Sequence, residues 1–359
     1  MRLVATKSIK EGSELAKPIY NDKGKALIQK NVNLTDGMIR RLQDMGITYV
    51  YIKDEVTEDI LVPSPISDEL RIEAIQTVKQ SFATYQHNGF GKKVYLIDKT
   101  NESMAKVVDS MIHQLKDDQE VLTVMSHILI SDDYVFSHSV NVTMYALALA
   151  TELKLSAKQI RQLGLGAMLH DVGKMFISEE ILNKTGKLND QEFEMVKKHT
   201  EKGFDYLRQS TNFPLLVAHC AYQHHERLDG SGYPRGITHK DIHPFGKILA
   251  VADVFDAVTS NRVYRDAMLP HEGLELLYAG SGSLFDPELV RTFKNTIAVF
   301  PNGSTICLSD NRIAIVVKQN HQLYERPIVR VIKEQGESVT PYDLDLAKEL
   351  DLTVVDYAL

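Results

Sequence analysis

The chain has 359 residues, 43% hydrophobic and 25% charged, with a formal net charge of −7. That length accommodates two or three domains with a sizeable core, and the acidic balance argues against a nonspecific nucleic-acid binder while leaving room for a local basic pocket. Cys220 and Cys307 are the only cysteines, so no disulfide framework is available, and no stretch approaches the ~20 apolar residues that span a bilayer.

The start, Met1-Arg2-Leu3-Val4-Ala5-Thr6-Lys7, lacks the apolar core of a signal peptide. With so few cysteines the sequence reads as a cytoplasmic protein. Residues 1–62 alternate short β-like runs with turns, which predicts a small α+β domain. Asn21-Asp22-Lys23-Gly24 is a turn signal between Pro18-Ile19-Tyr20 and Ala26-Leu27-Ile28. Thr35 suits the cap of a helix carrying Met38, Ile39, Leu42 and Met45, with Gly46 ending it. Thr48-Tyr49-Val50-Tyr51-Ile52 reads as a strand, and Pro63-Ser64-Pro65 as a linker.

Helical periodicity follows over 63–117. Leu70, Ala74, Val78 and Phe82 share one face, as do Met104, Val107, Val108, Met111, Ile112 and Leu115. These connecting helices suit a homodimer seam over 66–116. Over 118–300 helical patterning dominates and strand-like runs are nearly absent, and His199 is expected on a helix with Phe193 and Val196 on its inner side. The remaining stretch, 301–359, predicts a β-rich subdomain packed on the helices. Its strands are Ser304–Leu308, Ile313–Val317 and Ile328–Ile332.

Ten of the thirteen histidines fall between His127 and His271, which directs the search for chemistry to the helical region. His138 shares a face with Val142, Tyr145 and Leu149. His170-Asp171 closes an apolar run, His199 stands on the next helical segment, and His224-His225 ends another. Asp253 sits inside Ile248-Leu249-Ala250-Val251-Ala252-Asp253-Val254-Phe255, where an unpaired carboxylate is costly. Each residue alone has a structural explanation; five histidines and two aspartates on inward faces together do not. Nitrogen and oxygen ligands without thiolate suit two divalent ions, iron or manganese. Two such ions, bridged by a carboxylate and a water, would set a hydroxide in line with a phosphorus atom. Lys174, one turn past His170, can neutralise a phosphoryl oxygen.

These residues resemble the HD-GYP family of the HD hydrolase superfamily. The resemblance rests on His170-Asp171-x-Gly173-Lys174, on His224-His225-Glu226-x-x-Asp229-Gly230-Ser231-Gly232-Tyr233-Pro234, on the block from Asp253 to Arg265, and on Phe285-Asp286-Pro287. It implies a mainly α protein: an all-helical HD-GYP domain between the small α+β domain and the short β-rich subdomain. It also implies hydrolysis of the bacterial second messenger cyclic di-GMP to pGpG, and in some members on to GMP. Carried over by position, His138, His170, Asp171 and Asp253 resemble the ligands of one metal. His199, His224 and His225 resemble those of the other, with Asp171 bridging. Asp171 and Lys174 take the catalytic positions, and Lys174, Gly232, Tyr233, Asp256, Arg262 and Arg265 the substrate-binding ones.

Two positions depart from the family. Tyr134 stands four residues before His138, where some members carry a third-metal Glu, so this chain resembles the two-metal members. Arg262-Val263-Tyr264-Arg265 replaces Arg-Pro-Tyr-Arg, keeping both guanidiniums. Arg262 and Arg265 can bind phosphate or a guanine edge bidentately, Tyr233 offers a stacking face, and Gly232 lets the backbone approach a ligand. Two other readings stay open: a phosphohydrolase of another cyclic dinucleotide or guanosine nucleotide, and a non-catalytic nucleotide-sensing interaction module.

Overall fold

Two units interleave along the chain in the computed structural model, which describes residues 1–21, 25–88, 94–117, 134–182, 184, 186–209, 213–260, 267–321 and 323–358. One unit takes its described residues from 1–65 and 297–359, the other from 66–117 and 134–296.

In the first unit, strand β1 (Arg2–Ala5) pairs antiparallel with β4 (Tyr49–Ile52), and β2 (Ile19–Tyr20) with β3 (Ala26–Ile28). The Asp22–Gly24 part of the expected turn lies outside the described residues. Helix α1 (Asp36–Asp44) starts as the sequence predicts, with the Thr35 hydroxyl accepting from the Met38 amide. Past its end, Gly46 takes a φ of 73°, the left-handed backbone that favours glycine. Leu15, Ile19, Leu34, Ile39, Leu42, Ile47 and Val50 form its core, whereas Met38 and Met45 stay exposed.

The same unit holds an antiparallel sheet in the order β8-β7-β6-β5-β9. Its strands are β5 (Thr305–Leu308), β6 (Ile313–Lys318), β7 (Ile328–Glu334), β8 (Glu337–Asp345) and β9 (Val354–Tyr357). The three apolar runs read from the sequence are β5, β6 and β7. β8 and β9 lack their signature because both are edges: β8 is polar and carries Pro341, which an edge strand tolerates. The sequence treats 1–62 and 301–359 as separate pieces, yet here they share one unit. The Leu3 amide donates to the Gly303 carbonyl at 2.9 Å, and Asn302 Nδ2 to the Leu61 carbonyl at 2.9 Å. Arg330 reaches both carboxylate oxygens of Asp59 and of Asp343.

The second unit is helical. α2 (Asp68–Asn88) and α3 (Val94–Asp117) pack on one another and on α4 (Tyr134–Glu152) and α5 (Ala157–Leu169). Leu70, Ala74, Val78 and Phe82 are buried, as are Met104, Val107, Val108 and Met111. These parts of the stripes assigned to a dimer seam are covered by the chain's own helices, while Ile112 and Leu115 stay partly exposed.

α5 opens on a Ser156–Gln159 capping box. The short α6 (Glu179–Leu182) precedes α7 (Asp190–Lys197), α8 (His199–Leu207) and α9 (Leu215–Gln223). α10 (Pro244–Thr259) is apolar nearly all round and buried from Phe245 to Val258 on most of its surface, as a helix at the centre of a bundle must be. α11 (Pro270–Ala279) and α12 (Pro287–Lys294) close the unit. Phe285-Asp286-Pro287 serves the fold: Phe285 is buried, Asp286 accepts from the Glu288 amide at 3.0 Å, and Pro287 takes the first turn of α12. Among the described residues no helix is long and apolar enough to cross a membrane.

Candidate metal centre

Five helices, by their ends or interiors, deliver the histidines and aspartates to one place. His138 comes from the first turns of α4, His170 and Asp171 from the end of α5, and His199 from the start of α8. His224 caps α9, His225 follows it, and Asp253 projects from the middle of α10. His138, His170, Asp171, His199 and His224 are at most 1% exposed, and Asp253 is 6% exposed.

Hydrogen bonds to the backbone set the imidazole tautomers. Nδ1 of His170 donates to the Ala167 carbonyl at 2.7 Å, that of His199 to Val196 at 2.7 Å, and that of His224 to Cys220 at 3.1 Å. Each ring thus turns an Nε2 lone pair inward, the arrangement metal-binding histidines use. His138 is held differently, its Nδ1 2.7 Å from the Asp256 carboxylate and its Nε2 turned inward.

Asp171 stands between two groups. Its Oδ2 lies 3.6 Å from His138 Nε2 and 3.4 Å from His170 Nε2, while Oδ1 lies 3.4 Å from His199 Nε2 and 3.9 Å from His224 Nε2. Asp253 faces His138 at 3.0 Å and His225 at 3.7 Å. His138, His170 and Asp171 offer one set of converging ligand atoms, and His199, His224 and His225 a second. The fit to cations shows in what is left unpaired: His170 Nε2 and Asp171 Oδ1 are buried without a hydrogen-bond partner, and His199 Nε2 and His224 Nε2 face one another at 3.2 Å. Such an arrangement is costly without a positive ion, and its all-nitrogen and oxygen donors suit a borderline divalent metal.

The electrostatics agree. Burial holds the His199 imidazole down at about 4 and pushes His224 and His225 well below their ordinary value, so all three are neutral imidazoles. Burial also opposes the charge on His138, but the Asp253 and Asp256 carboxylates overcome it and lift that ring to about 9. For Asp171, burial is outweighed by Lys174 and His170, which hold it well below the usual carboxylate range. Asp253 is held down likewise, burial being overcome by His138 and His225.

Glycines let these pieces meet. A Cβ on Gly173 would lie 1.8 Å from the His199 carbonyl oxygen, so the turn after Asp171 packs backbone to backbone against the start of α8. A Cβ on Gly232 would lie 2.4 Å from both the Arg227 amide nitrogen and the His225 carbonyl oxygen. Tyr233 donates its amide to the His225 carbonyl at 3.1 Å and lays its ring 4.6 Å from the His225 ring at 30°.

Several expected roles find their positions here. Lys174 Nζ lies 2.5 Å from Asp171 Oδ2, paired to the centre rather than free. Asp256, expected among the substrate contacts, is 1% exposed and turned to the protein, accepting from His138 Nδ1 and Ser260 Oγ. Arg262 and Arg265 lie outside the described residues, as does the side chain of Tyr134. The sequence also gave Glu226 no role. Its buried carboxylate accepts from the Arg235 amide at 3.0 Å and the Ile237 amide at 3.1 Å, tying down the loop that carries Gly232 and Tyr233. A Glu directly after two histidines was the only signal available.

The HD domain family model matches residues 123–289. The chain is 37% identical over 201 residues to a cyclic di-GMP phosphodiesterase of Pseudomonas aeruginosa, covering 56% of this chain and 48% of the relative. It is 33% identical over 246 residues to a cyclic di-GMP phosphodiesterase of Thermotoga maritima, covering 67% and 65%. It is also 40% identical over 144 residues to 3'3'-cGAMP-specific phosphodiesterase 1 of Vibrio cholerae, covering 40% and 33%. The matches thus span from a third to under two thirds of these relatives' length.

Proposed function

We propose that the chain is a member of the HD-GYP family of the HD hydrolase superfamily and that it hydrolyses cyclic di-GMP to pGpG at a pair of divalent metal ions. The observation that carries this reading is Asp171: one carboxylate with its two oxygens turned to two separate sets of buried imidazoles. We assign catalysis to residues 118–300. His138, His170, Asp171 and Asp253 would hold one ion, and Asp171, His199, His224 and His225 the other, iron or manganese by the chemistry of the donors.

When bound, such ions stabilise charge on a phosphoryl group and activate water for attack on phosphorus. The chain's own residues do the rest. Backbone carbonyls of Ala167, Val196 and Cys220 hold three imidazoles in the ligating tautomer. Lys174, tethered to Asp171, keeps a positive charge beside the centre for a phosphate oxygen. Glu226 and Gly232 hold the loop so that Tyr233 covers His225, narrowing access of water to that side. Arg262 and Arg265 are proposed as further contacts to phosphate or guanine.

The Vibrio cholerae relative supports a second reading, in which 3'3'-cGAMP is the substrate. Anaerobic purification, metal analysis and product identification after incubation with cyclic di-GMP, 3'3'-cGAMP and cyclic di-AMP separate the two. Turnover of cyclic di-GMP above the others, lost in Asp171→Ala, is the expected result. A fully metal-loaded chain that leaves all three intact would overturn the reading.

A further inference from the structure

Phe193 departs from its expected place. The sequence puts it on the inner side of a helix running through His199, but α7 stops at Lys197 and α8 begins at His199, and the Phe193 ring is 45% exposed. A single exposed ring is ordinary; this one continues the metal centre outward. Tyr233 lies 4.6 Å from the His225 ring and 6.3 Å from the His199 ring, and Phe193 stands edge-on to Tyr233 at 6.4 Å and 79°. Lys197, one turn after Phe193, holds its ammonium 4.8 Å from the Phe193 ring centre and 5.6 Å from that of Tyr233. Its other partner, Glu194 at 2.5 Å, is 64% exposed, and surface pairs of this kind give way at little cost.

Resting on the cyclic dinucleotide reading above, we infer that Phe193, Tyr233 and Lys197 seat one guanine base of the substrate at the rim of the metal centre. A phosphodiester held over Asp171 leaves its bases to spread outward, and two near-perpendicular rings give one of them a face to stack on and a wall to stop against. Stacking on Phe193 accepts any base. Lys197 supplies the selection. An ammonium only donates, and guanine presents two acceptors, N7 and O6, where adenine presents N7 and an amino donor. The seat therefore favours dinucleotides carrying at least one guanine, which includes both cyclic di-GMP and 3'3'-cGAMP and leaves out cyclic di-AMP.

The test uses the full metal-loaded chain and phosphorothioate analogues of cyclic di-GMP and cyclic di-AMP, with affinities measured by calorimetry. Phe193→Ala weakens the cyclic di-GMP analogue about tenfold, and Phe193→Trp restores it. Lys197→Gln lowers the preference for the guanine over the adenine analogue about tenfold. As a second readout, kcat/KM on cyclic di-GMP relative to that on the base-free diester bis(4-nitrophenyl) phosphate falls about tenfold in Phe193→Ala. Phe193→Ala binding within twofold of the parent, or Lys197→Gln keeping the preference, would overturn the inference alone. A parent chain that binds and hydrolyses no cyclic dinucleotide would overturn the function reading together with it.

Discussion

The Asp256 carboxylate sits 2.7 Å behind Nδ1 of His138, whose Nε2 faces Asp253 at 3.0 Å. A carboxylate behind an imidazole fixes its tautomer and raises its basicity toward a metal, and losing such a partner costs about 10–100-fold in metal affinity. Asp256→Ala is expected to lose that much at one of the two metals, with Asp256→Asn in between, measured by competition with a chelator. Unchanged affinity in both variants would remove Asp256 from this role.

Asp171 faces both sets of imidazoles, whereas His199 belongs to one. Asp171→Asn is therefore expected to weaken both metals, and His199→Ala to leave about one per chain. Elemental analysis after gel filtration distinguishes the two, with circular dichroism reporting that helical content is kept. Equal losses in the two variants would contradict the bridging position.

Metal removal tests the same centre through stability. Buried imidazoles turned toward one another at 3.2 Å favour any ion that separates them. Binding to the folded state alone adds about 1.4 kcal/mol for each tenfold excess of free metal over its Kd, per site. The Tm is expected to climb steadily with free manganese and to fall on chelation. A Tm indifferent to both would mean that the imidazoles hold nothing.

The turn after Asp171 has no room for a side chain. Gly173→Ala forces its methyl into the His199 carbonyl, and such overpacking costs about 3 kcal/mol where backbone must move. Urea unfolding should show that loss, accompanied by weaker metal binding because His199 moves with its carbonyl. A stable variant with normal metal content would show that α8 can shift freely.

The cluster itself was legible in the sequence because buried imidazoles and carboxylates interrupt apolar runs at His138, His170-Asp171 and Asp253. Helix geometry was less so. A single period carried through 190–207 turns Phe193 inward, but the break at Lys198 resets the phase and leaves the ring outside. Backbone pairing left no trace at all. The partners of Glu226 are amides nine and eleven residues ahead, and Leu3 meets Gly303 through main-chain atoms across 300 residues. Nor did β8 announce itself, since an edge strand with one solvated face needs no apolar alternation.

Glu226→Ala removes the acceptor of two backbone amides at a partly buried site, at a cost of about 1 kcal/mol for each hydrogen bond lost. The expected result is a loop open to protease between Asp229 and Ile237, a raised KM for the dinucleotide, and metal content kept. Loss of metal with the loop still protected would place Glu226 in the centre rather than under the loop.

The sharing of one unit by residues 1–65 and 297–359 has a consequence for biosynthesis. A ribosome delivers Leu3, Tyr51 and Val62 long before the strands that Gly303 introduces, so the earliest stretch must wait with part of its apolar surface uncovered. The helical unit is complete in sequence once residue 296 has emerged. Residues 1–65 thus emerge before the helical unit yet are finished after it, and an interruption past residue 296 would harm them more than the histidine cluster.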